Sequence, residues 1–455
     1  MRIPRWIEAA AAWLRWDLPS KLGGIGRRGL LIAAAAVAIA ALIWAAVAGP
    51  LSDDAEPGQT RVVTVSVETD NVEEAPVGEL GFPLVATRNT TRVGGADPAA
   101  DAAAVALATH PPAPGAGPIE AAVVVGEEDW QAGIAASVLA GPPLRAPLLI
   151  GSADGLPDAS EDALATLQPR GGSGPDDSAV YTVGEVPPVP GLASEDLQGD
   201  SPAALAASID QLRGRLLRRR PEHIVVASQD DPAFAMPAAA WAARSGDPVL
   251  FSGRDRVPGE TLDALRRHRG VPVYALGGES VLSDAALRRL ERVAPVVRRV
   301  GTDDPVSSAI EFARFADESF GWNINDPGHG LVLASSSRPL DAAAAAALSA
   351  SGTWGALLIT DRADSLRPEL RSFLLDIKPG FEDDPTRAVY NHVWLIGDTT
   401  AIGAAVQAQV DELSELAEVG PGTGGPVTEA PGGGAFATPG GAENEPRSKR
   451  GAGAP

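Results

Sequence analysis

Glycine followed by acidic or hydroxyl residues closes three apolar segments of this sequence. The strings are Gly184-Glu185, Gly277-Gly278-Glu279-Ser280 and Gly397-Asp398-Thr399-Thr400. Ligands of open parallel sheets bind beyond the carboxyl ends of the strands, and glycine lets a ligand approach the backbone closely. Free N–H groups at a following helix start favour anionic groups. We therefore predict ligand contacts from Gly184, Gly277, Gly278, Glu279, Ser280, Gly397, Asp398 and Thr399. The alternative is that the glycines only form tight strand-to-helix turns.

Residues for metal or nucleophilic chemistry are absent or scattered. The chain has no cysteine, and no two histidines lie four residues apart, the set being His110, His223, His268, His329 and His392. P-loop, GxGxxG and GxSxG strings are missing, and acidic pairs such as Asp230-Asp231 are typical of exposed turns. We predict no enzymatic activity, no metal and no cofactor. A hydrolase, a third hypothesis, would require a polar pocket involving residues such as Asp341 or Glu279.

Charge restricts the class of partner. The chain of 455 residues has a formal net charge of −22 and repels nucleic acid as a whole. The net charge is −12 over residues 92–196, +2 over 197–296 and −10 over 297–418. Only the middle segment can present a basic patch, which would draw on Arg218, Arg219, Arg220, Arg266, Arg267 and Arg269. A solvated helix face is the alternative interpretation of these arginines.

An internal repeat sets the positions of these residues. Pro98, Pro202 and Pro305 follow at intervals of 104 and 103 residues, and each opens an Ala-rich helical segment. Apolar runs alternating with helices indicate a parallel sheet covered on both faces. The nine predicted strands are 122–126, 146–150, 180–184, 223–227, 247–251, 273–278, 331–334, 355–359 and 393–398. The predicted fold is α/β, with three tandem parallel-sheet modules at 88–196, 197–296 and 297–418.

The order of motifs resembles the cell wall-binding repeats of Gram-positive surface proteins. Copy one opens with Thr91-Arg92-Val93-Gly94-Gly95-Ala96-Asp97-Pro98 and copy three with Arg299-Val300-Gly301-Thr302-Asp303-Asp304-Pro305. A string like the family's Phe-Ala-Asp-Ala-Leu occurs at 339–343. The resemblance implies a pseudo-threefold arrangement of the modules, noncovalent attachment to anionic wall polymers, and ligand contacts from Arg92, Asp97, Arg299, Asp304 and Asp341. The family's arginine after the motif aspartate is replaced by proline in all three copies.

The N-terminal region predicts a membrane anchor. Residues 30–48 are all apolar and long enough to span a bilayer, with basic residues before them and acidic residues after them. We predict a cytoplasmic leader at 1–28, a transmembrane helix at 29–49, a juxtamembrane segment at 50–87 and an extracytoplasmic remainder. Ala46-Val47-Ala48 also fits a signal-peptidase site, in which case the protein is secreted. Residues 419–455, rich in Gly, Pro and Ala, are predicted to be a disordered tail.

These features lead to two hypotheses of different class. In the first, a membrane-anchored envelope protein binds a cell-wall component, either an anionic secondary polymer or a peptidoglycan-linked one, through its three repeats. In the second, the repeats no longer bind polymer and form a membrane-tethered scaffold for protein partners in the envelope. The missing motif arginines and the net acidity of the outer copies favour the second; the family resemblance favours the first.

Overall fold

The computed structural model describes residues 84–111, 118–172, 177–350 and 354–419. The predicted leader, transmembrane helix and disordered tail lie outside these residues, apart from Val419, as does most of the juxtamembrane segment. Within the described ranges, no helix is both long enough and apolar enough to cross a membrane.

Helices and strands alternate as the α/β class requires. The chain begins with β1 (Leu84–Ala86), β2 (Thr90–Val93), α1 (Pro98–Thr109), β3 (Ala122–Gly126), α2 (Trp130–Ala136), β4 (Leu148–Gly151), α3 (Asp158–Leu167) and β5 (Val180–Val183). It continues with β6 (Ser194–Leu197), α4 (Pro202–Leu217), β7 (Ile224–Ser228), α5 (Pro232–Ser245), β8 (Val249–Ser252), α6 (Gly259–Arg267), β9 (Val273–Leu276) and α7 (Asp284–Leu290). It ends with β10 (Val297–Val300), α8 (Pro305–Arg314), β11 (Gly330–Ser335), α9 (Pro339–Ser349), β12 (Trp354–Thr360), α10 (Pro368–Asp376), β13 (Gly380–Phe381), β14 (His392–Ile396), α11 (Ala404–Ser414) and β15 (Ala417–Glu418).

Each repeat has its own parallel sheet, and each sheet takes its fourth strand from another repeat. The strand orders are β4-β3-β5-β6, β8-β7-β9-β10 and β12-β11-β14-β2. The strands that open the second and third repeats, β6 and β10, thus pair with the last strand of the repeat before them. Periodicity in the sequence gives the length of a repeat but does not say at which residue a sheet begins or ends. The sheets are therefore shifted by one strand relative to the predicted modules.

The first strand pair completes the third sheet. Thr91 of β2 pairs with Trp394 of β14, more than 300 residues away in the sequence, and β1 pairs with β2 in antiparallel orientation. Residues 84–86 were assigned by sequence to the juxtamembrane segment, but they form the edge strand of this sheet. Alternating side chains over these three residues are too short a pattern to predict a strand.

Small residues allow the middle helices to meet. The helices α2, α5 and α9 each contact the other two. Half of their positions are alanine, and a Cβ atom built on Gly133 of α2 would lie 2.9 Å from the Leu340 side chain of α9. Alanine and glycine permit this approach because they place little bulk between two helix backbones.

The helices that follow the motif prolines join neighbouring repeats. Helices α1, α4 and α8 pack against the middle helix of another repeat, namely α9, α2 and α5 in that order. Each also packs against the second strand of its own repeat, β4, β8 or β12. Since α1 contacts α9, the first and third repeats are in contact as well.

Candidate functional site

The three predicted glycine loops follow β5, β9 and β14, at the carboxyl ends of the parallel sheets. Gly184, Gly277 and Gly397 have φ angles of 83°, 110° and 95°, a region that favours glycine. A Cβ atom on Gly184 would lie 2.0 Å from the Asp129 carboxylate. Turn geometry and close packing therefore give these glycines a structural reason of their own.

Arg92 lies buried beneath the loop after β14. Its guanidinium donates to the carbonyl oxygens of Gly397, Asp398 and Ile402 at 2.9, 2.8 and 2.6 Å, and its Nε donates to Gln407 Oε1 at 3.0 Å. Burial lowers the pKa of Arg92, against the opposing effect of the Asp398 carboxylate. Its donors bind the protein itself, and the side chain holds the loop against β2.

Arg299 repeats this arrangement at the second sheet. It donates to the carbonyl oxygens of Gly277 and Leu282 at 3.2 and 2.6 Å and pairs with Asp284 at 2.9 Å. At the equivalent position of β6 the chain has Asp196, so the first sheet lacks this arginine. The motif arginine is thus a loop anchor in two of the three repeats.

The motif aspartates cap helices. Asp97 accepts a hydrogen bond from the N–H of Ala100 at 2.9 Å, and Asp304 accepts one from the N–H of Ser307 at 2.8 Å. Ser201 takes the same position before α4. An N-cap acceptor satisfies a helix N–H that has no partner within the helix, and the proline that follows suits the first helical position.

The interface between α1 and α9 buries two carboxyl groups beside one arginine. Asp101 of α1 and Asp341 of α9 are both 0% exposed. Arg338, one turn before Asp341, donates to Asp101 at 3.0 Å, to Asp398 at 3.2 Å and to Thr400 Oγ1 at 3.0 Å. The structure thus brings together Asp341, Asp398 and Thr400, which the sequence analysis named, with Asp101 and Arg338, which it did not single out.

The three acidic groups of this cluster differ in protonation. Burial raises the pKa of Asp101 to about 6, against hydrogen bonding from Gly95 and the Arg338 charge. Burial and the nearby Asp101 carboxylate raise the pKa of Asp341 well above its usual range, and neither Asp341 oxygen accepts a hydrogen bond from the described residues. Burial also acts on Asp398, but hydrogen bonds from Thr400 and Ala401 lower its pKa overall. Burial therefore favours the neutral acid form of both Asp101 and Asp341, and more strongly that of Asp341.

A comparison of the copies reveals what the sequence analysis missed. Asp101 occupies the fourth position of its helix, where the second and third repeats have Leu205 and Ser308. Both of those residues are buried too. The sequence signal for this cluster is therefore Asp101, a carboxylate at a repeat position where the other two copies have an apolar or a neutral residue.

Some predicted residues face solvent. Asp97, Glu279, Ser280 and Thr399 are exposed. Ser280 is held in place because its N–H and hydroxyl both donate to Asp303 Oδ1 at 2.8 Å. Glu279 follows the second sheet and Asp341 begins a helix of the third repeat, so the two residues considered for a hydrolase lie in different repeats.

The structure joins the two arginine clusters of the second repeat. Arg220, just after α4, donates to the carbonyl oxygens of Arg267 and Arg269 at 3.4 and 3.1 Å, at the end of α6. All six arginines of this arginine surface are exposed: Arg218, Arg219, Arg220, Arg266, Arg267 and Arg269. Exposed pairs with Glu222 and Asp263 neutralise part of the surface, but such pairs are weak.

The described residues offer no cluster of carboxylate or histidine side chains arranged to hold a metal ion. A cavity of about 740 Å³ opens on the first repeat between α3 and the loop Pro187–Pro190. Its lining is mainly apolar and also includes the acidic Glu161 and the basic Arg170. Its Pro187–Pro190 wall begins three residues after Gly184, so the cavity adjoins the glycine loop of the first repeat.

Comparison with known proteins gives a family and a fold. Residues 197–287 match the family model of cell wall binding domain 2, which confirms the resemblance to cell wall-binding repeats. Cwp6 from Clostridium difficile is similar in structure, with 17% identity and a TM-score of 0.57 over 72% of this chain and 48% of that chain. Cwp8 from Clostridium difficile has 18% identity and a TM-score of 0.56 over 72% of this chain and 52% of that chain. This chain spans about half the length of each, and at these identities the likeness shows the fold alone. No curated protein matches the chain.

Proposed function

We propose that this protein, whose second repeat is a cell wall binding domain, attaches noncovalently to an anionic polymer of the cell wall through the arginine surface of that repeat. One observation carries the proposal. The family match covers 197–287, which includes all six arginines of the surface and falls in the part of the chain with a net charge of +2.

Charge supports this assignment. The outer repeats have net charges of −12 and −10 and repel a polyanion. Arginine presents a planar fork of donors that matches phosphate and carboxylate groups. Arg220 holds the ends of α4 and α6 together, so the exposed guanidinium groups around it are presented on a fixed frame.

The loops at the strand ends form a second proposed contact. Glu279, Ser280 and Thr399 are the exposed residues there, and hydroxyl and carboxylate groups suit the neutral sugar hydroxyls of a wall glycan better than its anionic groups. Arg92 and Arg338 hold the loop after β14 through hydrogen bonds.

Sedimentation with isolated cell walls tests the proposal. Residues 84–419 carrying Arg219→Ser, Arg266→Ser and Arg269→Ser should bind at least about tenfold more weakly than the parent, because neutralised phosphate contacts dominate such affinities. The matched control carries Arg362→Ser, Arg371→Ser and Arg387→Ser on the third repeat, which changes the net charge equally. Equal loss in both variants, or binding unchanged by removal of phosphate-linked polymers from the wall, would contradict the proposal.

The larger arrangement is also part of the proposal. We infer a pseudo-threefold packing of the three modules, supported by the mutual contacts of α2, α5 and α9. We further infer that residues 29–49 anchor the chain in the membrane with the repeats outside, which rests on the apolar run at 30–48 and its flanking charges. Resistance of the membrane-bound protein to alkaline carbonate extraction tests the anchor; release of an intact chain would refute it.

Scaffolding of envelope proteins is the second candidate. The strong acidity of the first and third repeats favours it, because those surfaces suit basic protein partners rather than anionic polymers. Crosslinking in cells separates the two functions. Wall glycan adducts near α4 and α6 support polymer binding, and discrete protein adducts on the outer repeats support scaffolding.

A further inference from the structure

A serine, a histidine and an aspartate meet where the third repeat crosses the second. Ser319 Oγ lies 3.1 Å from His223 Nε2, and His223 Nδ1 lies 3.1 Å from Asp247 Oδ2. Asp247 and His223 precede β8 and β7, at the amino ends of the second sheet, whereas Ser319 belongs to the segment between α8 and β11. The glycine loops follow the opposite, carboxyl ends of the strands.

Asp247 orients the imidazole. Its Oδ1 accepts the N–H of His223 at 3.0 Å, and its Oδ2 accepts from both His223 Nδ1 and Trp241 Nε1 at 3.1 Å. Because the carboxylate is 2% exposed and only accepts, Nδ1 carries the ring proton. The other ring nitrogen, Nε2, is therefore the acceptor for the Ser319 hydroxyl.

Aromatic packing fixes the ring plane. The imidazole makes edge contacts with Phe320 and Tyr274, at centroid distances of 5.4 and 5.7 Å. Phe320 in turn stacks on Tyr274 at 3.6 Å. Rigid neighbours keep Nε2 directed at one position, which a general base requires.

Ser319 stands on a tight turn that exposes its hydroxyl. Asp317 and Phe320 exchange backbone hydrogen bonds of 2.8 and 2.9 Å across the turn, and Glu318 has a φ of 54°. A non-glycine residue in this region is strained, and such strain concentrates at functional positions. Ser319 is exposed while His223 and Asp247 are buried, as a nucleophile and its supporting base would be.

We propose that Ser319, His223 and Asp247 form a catalytic triad that hydrolyses small carboxylic esters. Ser319 Oγ attacks the ester carbonyl carbon while its proton passes to His223 Nε2. The C–O bond to the alcohol breaks, the alcohol takes the proton from Nε2, and an acyl-Ser319 remains. Water then attacks the acyl group by the same proton route, which releases the acid and restores the serine.

The position of the serine restricts the substrate. An exposed turn gives an acyl group few contacts, so a short group such as acetyl is favoured over a long chain. Asp317 and Glu318 precede Ser319; Asp317 pairs with Arg298, and the exposed Glu318 carboxylate disfavours anionic acyl groups. Small acyl esters on an uncharged alcohol or sugar are therefore the proposed substrate class.

Labelling with a fluorophosphonate probe tests the triad, because the probe forms a covalent bond only with an activated serine. The full chain in detergent solution should be labelled at Ser319, as located by peptide mass spectrometry. His223→Gln should slow labelling by about 10²-fold or more, the range typical of a lost general base. Asp247→Asn should also slow it, since the amide permits the wrong imidazole tautomer. In Ser365→Ala, which removes a hydroxyl that faces a carboxylate but no imidazole, labelling should be unchanged.

Folding effects are separable because Ser319 is exposed. Ser319→Ala should abolish labelling and hydrolysis of p-nitrophenyl acetate yet leave the unfolding midpoint and cell-wall binding unchanged. Labelling only at other serines, or equal labelling in the parent and His223→Gln, would overturn the triad. Those results would leave wall attachment through the arginine surface untouched, since that surface shares no residue with the triad.

Discussion

At Arg92 one buried guanidinium donates to three carbonyl oxygens of the loop after β14. Arg299 makes two such contacts at the second sheet. A motif residue that resembles a ligand contact in the sequence thus acts through the loop that it holds. Removal of such a side chain leaves buried acceptors without donors. An unsatisfied buried acceptor lowers the stability of the folded state by more than the formed hydrogen bond contributes to it.

We predict that Arg92→Met lowers the free energy of unfolding by about 1–3 kcal/mol, because buried carbonyl and amide oxygens lose their charged donor. Urea denaturation measures the change. Arg88→Met is the matched control, since Arg88 is 73% exposed and pairs with Glu415 at the surface; it should change stability by less than about 1 kcal/mol. Similar losses in both variants would show that the buried contacts are not the cause.

Asp341 leads to a prediction with a pH dependence. A carboxyl group whose pKa is raised on folding binds its proton more tightly in the folded state, so its contribution to stability falls as pH rises above about 4. Asp341→Asn removes this penalty. It should raise the free energy of unfolding at pH 8 by about 1–3 kcal/mol, with a smaller gain at pH 5.

Urea denaturation at both pH values checks this, with the exposed Asp383→Asn as the control for net charge. The second buried acid, Asp101, has its pKa raised to about 6, so part of the parent's pH dependence between pH 4 and 6 should remain in Asp341→Asn. A gain that does not depend on pH would contradict the account.

At the scale of elements, the small-residue helices decide how closely the repeats pack. Gly133 of α2 lies against Leu340 and Ala343 of α9, with virtual Cβ distances of 2.9 and 3.2 Å. Gly214 of α4 is also inside a helix, but a Cβ there would meet nothing within 4 Å. The same substitution at these two positions separates packing from helix propensity.

We predict opposite signs for these substitutions. Gly133→Leu should lower the free energy of unfolding by about 1–3 kcal/mol because the side chain overpacks the contact with α9. Gly214→Leu should raise it by about 0.5–1 kcal/mol because leucine is the better helix former. Thermal denaturation of the two variants in parallel measures both. If both substitutions stabilised the protein, α2 and α9 would have to move apart at little cost to make room for the leucine side chain.

The strand β2 leads to a prediction about the third sheet. The N–H groups of Val393 and Gly397 donate to Asn89 and Val93 at 3.0 and 2.9 Å. A chain that begins at residue 96 lacks these acceptors. Hydrogen exchange at Val393 and Gly397 should then be faster by about 10²-fold or more, whereas a chain that begins at residue 84 should retain protection. Unchanged exchange in the shorter chain would mean that the third sheet is complete without β2.

At the scale of the whole molecule, charge is distributed unevenly among the three repeats, and this distribution determines which surface can contact a polyanion. With strongly acidic outer repeats, either the second repeat makes the contact or divalent cations bridge carboxylates to the polymer. The arginine surface is exposed, so it can contact the polymer directly.

We predict that wall binding survives a chelator but weakens as salt rises. Released counterions make a polyanion contact salt-dependent, so binding should fall by about tenfold or more between 50 and 200 mM salt. Sedimentation with isolated walls in both salts, with and without EDTA, measures this. Loss of binding with EDTA alone would indicate cation bridging and exclude direct contact as the main interaction.

The sequence by itself determined the repeat, the central strands of each sheet with the helices between them, and the resemblance to cell wall-binding repeats. These follow from local properties: apolar runs, small-residue helices, and prolines at the first helical position such as Pro98 and Pro305. The two arginine clusters of the second repeat were also visible in the sequence. Their meeting was not, because it depends on where α4 and α6 end in space.

Only the tertiary structure decided which residues meet across repeats. β2 pairs with β14, which lies about 300 residues away in the sequence, and Asp101 of α1 meets Asp341 of α9. Ser319, His223 and Asp247 form no sequence motif because their spacing comes from a crossing of two repeats. The periodicity of the sequence predicts the strands and helices of each repeat. It does not predict which residues of two repeats touch, because those contacts depend on how the folded repeats pack.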